Sequence, residues 1–198
     1  MYEFVSKDIT DLLFEAHMIE LDLDIGETIK GLGKILGGGT YSVAIKLKRT
    51  VKDFKNPVLV ITLEEQKEEL FKKITGLKTS HKVNKKEKDF IKKLDSEDIF
   101  FFITEEMKKV PIERENLAIE YLQGIFSHNW ITQKTILKKI KKIQTKGFSK
   151  KDKKLINAVK KSLKKAASLV DTIVCVDIHE QQFLEKKGKI FFTDPFVF

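Results

Sequence analysis

Three residues near the end of the sequence have the types and spacing for chemistry: Asp177, Gln182 and Asp194, in "VDIHEQQFLEKKGKIFFTDP". Gln182 and Asp194 each lie six residues from Gly188. A chain folding back around "KKGK" brings these two flanking positions together, since opposed residues of an antiparallel pair sit about 4.5–5.5 Å apart. Asp177 lies five residues before Gln182, in the loop that feeds the first strand. Two carboxylates and an amide oxygen then converge at the open end of one hairpin. Hard oxygen donors in this number suit Mg²⁺, which takes one or two carboxylates together with substrate phosphates. The ordinary reading of His179 beside them is a packed loop histidine.

A second candidate is "ILGGGTYSVAIKLK", residues 35 to 48. Its pattern predicts strand, glycine turn, strand, with Gly37, Gly38, Gly39, Thr40, Tyr41 and Ser42 as residues able to cover a phosphate. "VAIK" ends on Lys46, seven residues past Gly39. An extended chain carries it about 20 Å from the glycines, beyond easy return for a four-carbon stem.

The elements that must position these residues follow from hydrophobic period. Residues 8 to 22 read as a helix with Ile9, Leu12, Leu13, Ala16 and Leu21 on one face. "PVLVITL" (57 to 63) is a third strand, and "LEEQKEELFKKIT" a helix opened by a Thr62/Glu65 capping box and closed by Gly76. Its apolar stripe is Leu63, Leu70, Phe71 and Ile74, with Lys67 rather than a glutamate along it. A short helix is expected near "KDFIKKL", then a buried strand at "DIFFFIT" and a connector broken by Pro111. "RENLAIEYLQGIF" puts Leu117, Ala118, Tyr121, Leu122 and Ile125 on one helical face. Ile136, Ile140 and Ile143 mark a second helix. Ser149 and Asp152 open a third, in which Leu155, Val159, Leu163 and Ala167 recur every four residues. Strands dominate the first half and helices the second, with the best division near residues 107 to 111.

Composition narrows the class. The chain has 198 residues, 41% of them hydrophobic, enough for a core of one substantial domain or two small lobes. No apolar run approaches a membrane span and the N-terminus lacks the pattern of a signal peptide, so a cytoplasmic protein without a membrane partner is expected. Cys175 is the single cysteine, which excludes an internal disulfide and fits a reducing compartment. The net charge of +9 is uneven: residues 134 to 165 contain fourteen lysines and one acid, Asp152. Only Arg49 and Arg114 are arginines, which argues against sequence-specific reading of nucleic acid. Non-specific contact with nucleic acid through 134 to 165 stays open beside the plainer reading of a solvated lysine face.

The hairpin motif resembles the D-x-H-x-x-N…D-P loops of kinase-like phosphotransferases. Together with L-G-x-G-x-aromatic-S at "LGGGTYS", it is similar to the early-gene protein kinase family of podophages. The resemblance spans roughly residues 33 to 63 and 98 to 198. It implies a two-lobed α+β protein-kinase-like fold: a β-rich N-lobe with an N-terminal helix over residues 1 to 108, and a short, truncated helical C-lobe over 109 to 198. It implies ATP and Mg²⁺ as ligands and transfer of a phosphoryl group to a Ser or Thr hydroxyl of a protein partner, in a phage-infected cell's cytoplasm. Asp177 takes the place of the catalytic base, with Gln182 and Asp194 at the metal. The glycine turn from Gly37 to Ser42, Thr62, Glu105 and Met107 fall to the nucleotide.

The same resemblance marks the departures. Thr62 stands where the third-strand lysine belongs, and Gln182 adds a methylene to the usual Asn. The sequence ends four residues past Asp194, so no activation segment is expected. Three functions follow as alternatives: a weak phosphotransferase, a pseudokinase or interaction protein binding a host or virion protein or nucleic acid through its lysine-rich helices, and a small-molecule kinase of the aminoglycoside type.

Overall fold

The computed structural model describes residues 31–39, 42–94, 99–113, 115–126 and 130–197. The helix expected over 8 to 22 and the residues Thr40 and Tyr41 lie outside them. The fold is mixed α+β. Two compact units divide the chain: Met1–Glu68 with Leu77–Glu106, and Glu69–Gly76 with Met107–Phe198. One cut in the sequence does not describe this division, because residues 69 to 76 belong with the later half.

The first unit is built on a four-stranded antiparallel sheet in sequence order, β1 (Gly33–Gly39), β2 (Ser42–Leu47), β3 (Pro57–Thr62) and β4 (Phe100–Glu105). Alternation along β2 sends Val43, Ile45 and Leu47 into a core with Leu59, Ile61 and Ile103, closed by Phe90 and Leu94. Phe90 comes from α2 (Lys85–Lys93), which Leu94 caps. That helix starts on a capping box in which Asn84 and Glu87 exchange side-chain bonds to each other's backbone N–H. Glu87 is 1% exposed and also receives Arg49 in a two-pronged ion pair, at 2.5 and 2.6 Å. These hydrogen bonds push the Arg49 guanidinium above its usual pKa. Gly33 is dictated by close approach: a Cβ there would lie 1.9 Å from the Lys46 carbonyl oxygen.

The second unit packs helices against two small sheets. Its helices are α3 (Leu117–Phe126), α4 (Gln133–Lys142) and α5 (Lys150–Ala166). Its sheets have the orders β10-β7-β6 and β5-β8-β9. The members are β5 (Lys108–Lys109), β6 (Trp130–Thr132), β7 (Ile173–Val176), β8 (Phe183–Lys186), β9 (Lys189–Phe192) and β10 (Phe196–Val197). Leu155, Val159, Leu163 and Ala167 are buried, as their spacing requires. Ser149 caps α5 by accepting the Asp152 N–H at 3.1 Å and donates its hydroxyl to the Asp152 carboxylate at 2.6 Å. That bond, its largest influence, holds Asp152 below the usual carboxylate range.

Two expectations need correction. The helix after β3, α1, spans Lys67–Thr75 and not 63 to 75, because Thr62 does not cap it. The Thr62 hydroxyl accepts the Glu64 N–H at 3.1 Å, making a tight turn that delays the first helical residue. Leu70 and Ile74 of α1 are buried in the second unit's core. On α3 the buried face is Ala118, Ile119, Leu122 and Phe126, and Leu117 at the helix start is 68% exposed. Among the described residues, no helix is long and apolar enough to cross a membrane.

Candidate functional site

The site is created by two ladders that meet at one residue. The β8–β9 hairpin pairs Phe183 with Phe192 and Lys186 with Lys189, leaving a two-residue turn at Lys187 and Gly188. Both turn residues have positive φ, 50° and 74°, as a type I′ hairpin demands. The register is one residue from that expected: the pairing axis falls between Lys187 and Gly188, so Gln182 faces Thr193 and not Asp194. The Thr193 N–H donates to the Gln182 carbonyl at 3.0 Å, and its hydroxyl does so at 3.2 Å.

The second ladder pairs β7 with β10, Val176 opposite Phe196. It extends one step further, where the Asp177 N–H donates to the Pro195 carbonyl at 3.2 Å. Asp194 is therefore the single residue linking Thr193, the partner of Gln182, to Pro195, the partner of Asp177. Backbone pairing alone brings the three residues to one place.

Side-chain bonds complete the cluster. Gln182, only 7% exposed, donates its amide N–H to the Asp177 carboxylate at 3.2 Å. Its amide oxygen accepts the His179 backbone N–H at 2.9 Å. The His179 ring nitrogen Nε2 lies 3.4 Å from the same Asp177 oxygen. The loop is braced from α3, where the Gln123 amide donates to the Ile178 carbonyl at 2.6 Å. Gln123, Thr193 and the His179 contact were not found from sequence. Gln123 lies 55 residues from its partner, and no motif links the two. Burial first, then the Asp177 charge, push the Cys175 thiol above its usual pKa.

As a metal-binding set, the cluster fits Mg²⁺ in part. Asp177 and Asp194 supply hard carboxylate oxygens, and a carbonyl oxygen with one hydrogen bond keeps a second lone pair. The Gln182 oxygen is nevertheless committed first to the loop backbone. Among the described residues, no three His, Cys, Asp or Glu side chains form a metal-binding group.

The other residues assigned to the nucleotide lie in the first unit, apart from Met107. Gly37, Gly38 and Gly39 pair with Ala44, Val43 and Ser42, after a bulge between Ile35 and Gly37. Thr62 faces Ser42 and is therefore beside the glycine end of the sheet. Lys46 shares a sheet face with Ser42 but lies four residues further along, about 13 Å. There it pairs with Glu106 at 2.7 Å. Glu105 accepts the Lys55 N–H at 3.0 Å. Met107 is half-buried and begins the second unit's run of chain. On α1, Glu68 is also engaged: it accepts the Thr79 hydroxyl and meets the His81 ring at 2.6 Å.

Comparison with protein-family models, curated proteins and solved structures finds no match.

Proposed function

We propose that the chain is a two-lobed kinase-like protein of podophage type, acting as a weak Mg²⁺- and ATP-dependent phosphotransferase to Ser or Thr hydroxyls. The observation carrying this reading is the position of Asp194 between two ladders whose other members are Asp177 and Gln182. In this reading Asp177 takes the proton of the attacking hydroxyl. Gln182 holds that carboxylate in place, and Asp194, with Gln182, would hold Mg²⁺. The bound ion supplies charge neutralisation for the phosphates. The four-stranded sheet supports the same reading: its β1–β2 ladder carries Gly37, Gly38, Gly39 and Ser42, which in this reading lie toward the phosphates. Phosphoryl transfer from ATP to the chain itself or to a generic Ser/Thr substrate is the direct test. Asp177→Asn is expected to lower the rate about 10²–10⁴-fold with the fold retained. Transfer unchanged by both Asp177→Asn and Asp194→Asn would remove the assigned roles.

A second reading is a pseudokinase that works by binding. Thr62 at the lysine's position and the pairing of Lys46 with Glu106 favour it, since both leave the phosphates without their usual ammonium. Nucleotide-dependent stabilisation without any transfer would select it.

A further inference from the structure

A groove of about 680 Å³ lies in the second unit, between α5, the end of α1 and the β8–β9 hairpin. Its walls carry Lys154, Lys161, Lys164 and Lys165 from α5 and Lys189 from the hairpin, and no acidic residue lines it. Spacings of seven and eleven residues put Lys161 and Lys165 on the same helical face as Lys154. Lys165 donates to the Ile74 carbonyl at 2.8 Å, which pins its stem along the groove. Among the described residues, no carboxylate pairs with Lys154, Lys161, Lys164 or Lys189. The floor is apolar: Ala158 is buried, and Ile190 and Phe191 are half-buried.

The groove thus offers four unpaired ammonium groups above a hydrocarbon floor. A small inorganic anion would use the lysines and leave the floor unfilled. A nucleic-acid strand would seek stacking platforms and arginine forks, and the lining holds no arginine and no fully exposed aromatic. An extended peptide alternating carboxylates with apolar side chains satisfies both parts, with its acids on the lysines and its apolar residues on Ala158, Ile190 and Phe191. We infer that this groove is a docking site for an acidic, apolar-interleaved segment of a partner protein. The inference does not rest on phosphotransfer and stands or falls separately from it.

The test is fluorescence anisotropy with a short labelled peptide alternating Glu or Asp with Leu or Phe. An all-glutamate peptide of equal charge and a single-stranded oligothymidine serve as comparisons. The alternating peptide is expected to bind tightest, and Lys154→Gln/Lys161→Gln/Lys164→Gln to weaken it about tenfold or more. Lys150→Gln/Lys151→Gln/Lys153→Gln removes the same charge outside the groove and is expected to weaken it less than about twofold. Ile190→Thr is expected to weaken the alternating peptide and leave the all-glutamate peptide unaffected. Equal losses in the two triple variants, equal binding of the two peptides, or no binding of the alternating peptide would overturn the inference. Preference for the oligothymidine, with loss in the groove variant, would replace the peptide by nucleic acid.

Discussion

The ends of two hairpins carry the two halves of the motif set, and their polar side chains differ in what they do. Where β8–β9 opens, Asp177, His179 and Gln182 touch one another, with Asp194 at the link between their ladders. Around β1–β2 and its neighbours, charged groups engage neighbouring side chains. Lys46 goes to Glu106, Glu68 to Thr79 and His81, and Arg49 to Glu87. One region gathers its polar groups on a single loop, with Gln182 buried and Asp177 and His179 partly exposed. The other uses them to hold its own elements together.

That contrast can be broken by substitution, most severely at Glu87. Glu87→Ala removes a buried carboxylate that serves Arg49 and the α2 cap together. Urea denaturation is expected to show a loss of about 2–4 kcal/mol, against the larger penalty of a fully buried pair because Arg49 is partly exposed. A loss below about 1 kcal/mol would mean that the pair is not structural. At the second hairpin, Asp194→Asn is expected to change stability by less than about 1 kcal/mol.

Smaller effects sharpen the comparison at the glycine end. Thr62→Val keeps the shape but loses the bond to the Glu64 N–H, and about 1 kcal/mol with it. Any nucleotide response should stay as it was. Lys46→Met should cost about 0–1 kcal/mol, the value of a partly exposed pair. If Lys46→Met instead abolished a nucleotide response present in the parent, Lys46 of "VAIK" would be a true phosphate lysine, and the contrast between the two hairpins would fail. The smallest change is a gain: Lys187→Asn suits the positive φ of the turn and should add about 0.5 kcal/mol in thermal or urea unfolding.

The parts of the fold legible in sequence were those set by local patterns. The four-residue recurrence of Leu155, Val159 and Leu163 needs no tertiary knowledge, and Gly188 after Lys187 announces a turn on its own. Register was harder, because moving the turn centre by half a residue moves every partner by one. That is why Thr193, and not Asp194, faces Gln182. The start of α1 depended on whether the Thr62 hydroxyl reached Glu64 or a later amide, which residue types do not decide. Period puts Leu117 on the buried face, yet helix ends project past the surface they pack on. The Arg49–Glu87 pair and the Gln123 brace join residues 38 and 55 positions apart and leave no periodic trace. Sequence singles out Asp177, Gln182 and Asp194, but not how Gln182 is used. Its amide ties the loop together before it can serve any ligand.

The central claim is that the Asp177–Gln182–Asp194 cluster answers to a nucleotide with its metal. Thermal unfolding of the parent chain and Asp194→Asn, each with ATP or ADP and Mg²⁺ or Mn²⁺, tests it most directly. Saturating ligand should raise the parent's Tm by several degrees, and Asp194→Asn should abolish most of that rise. No rise with any nucleotide and metal, or an equal rise in Asp194→Asn, would contradict the account.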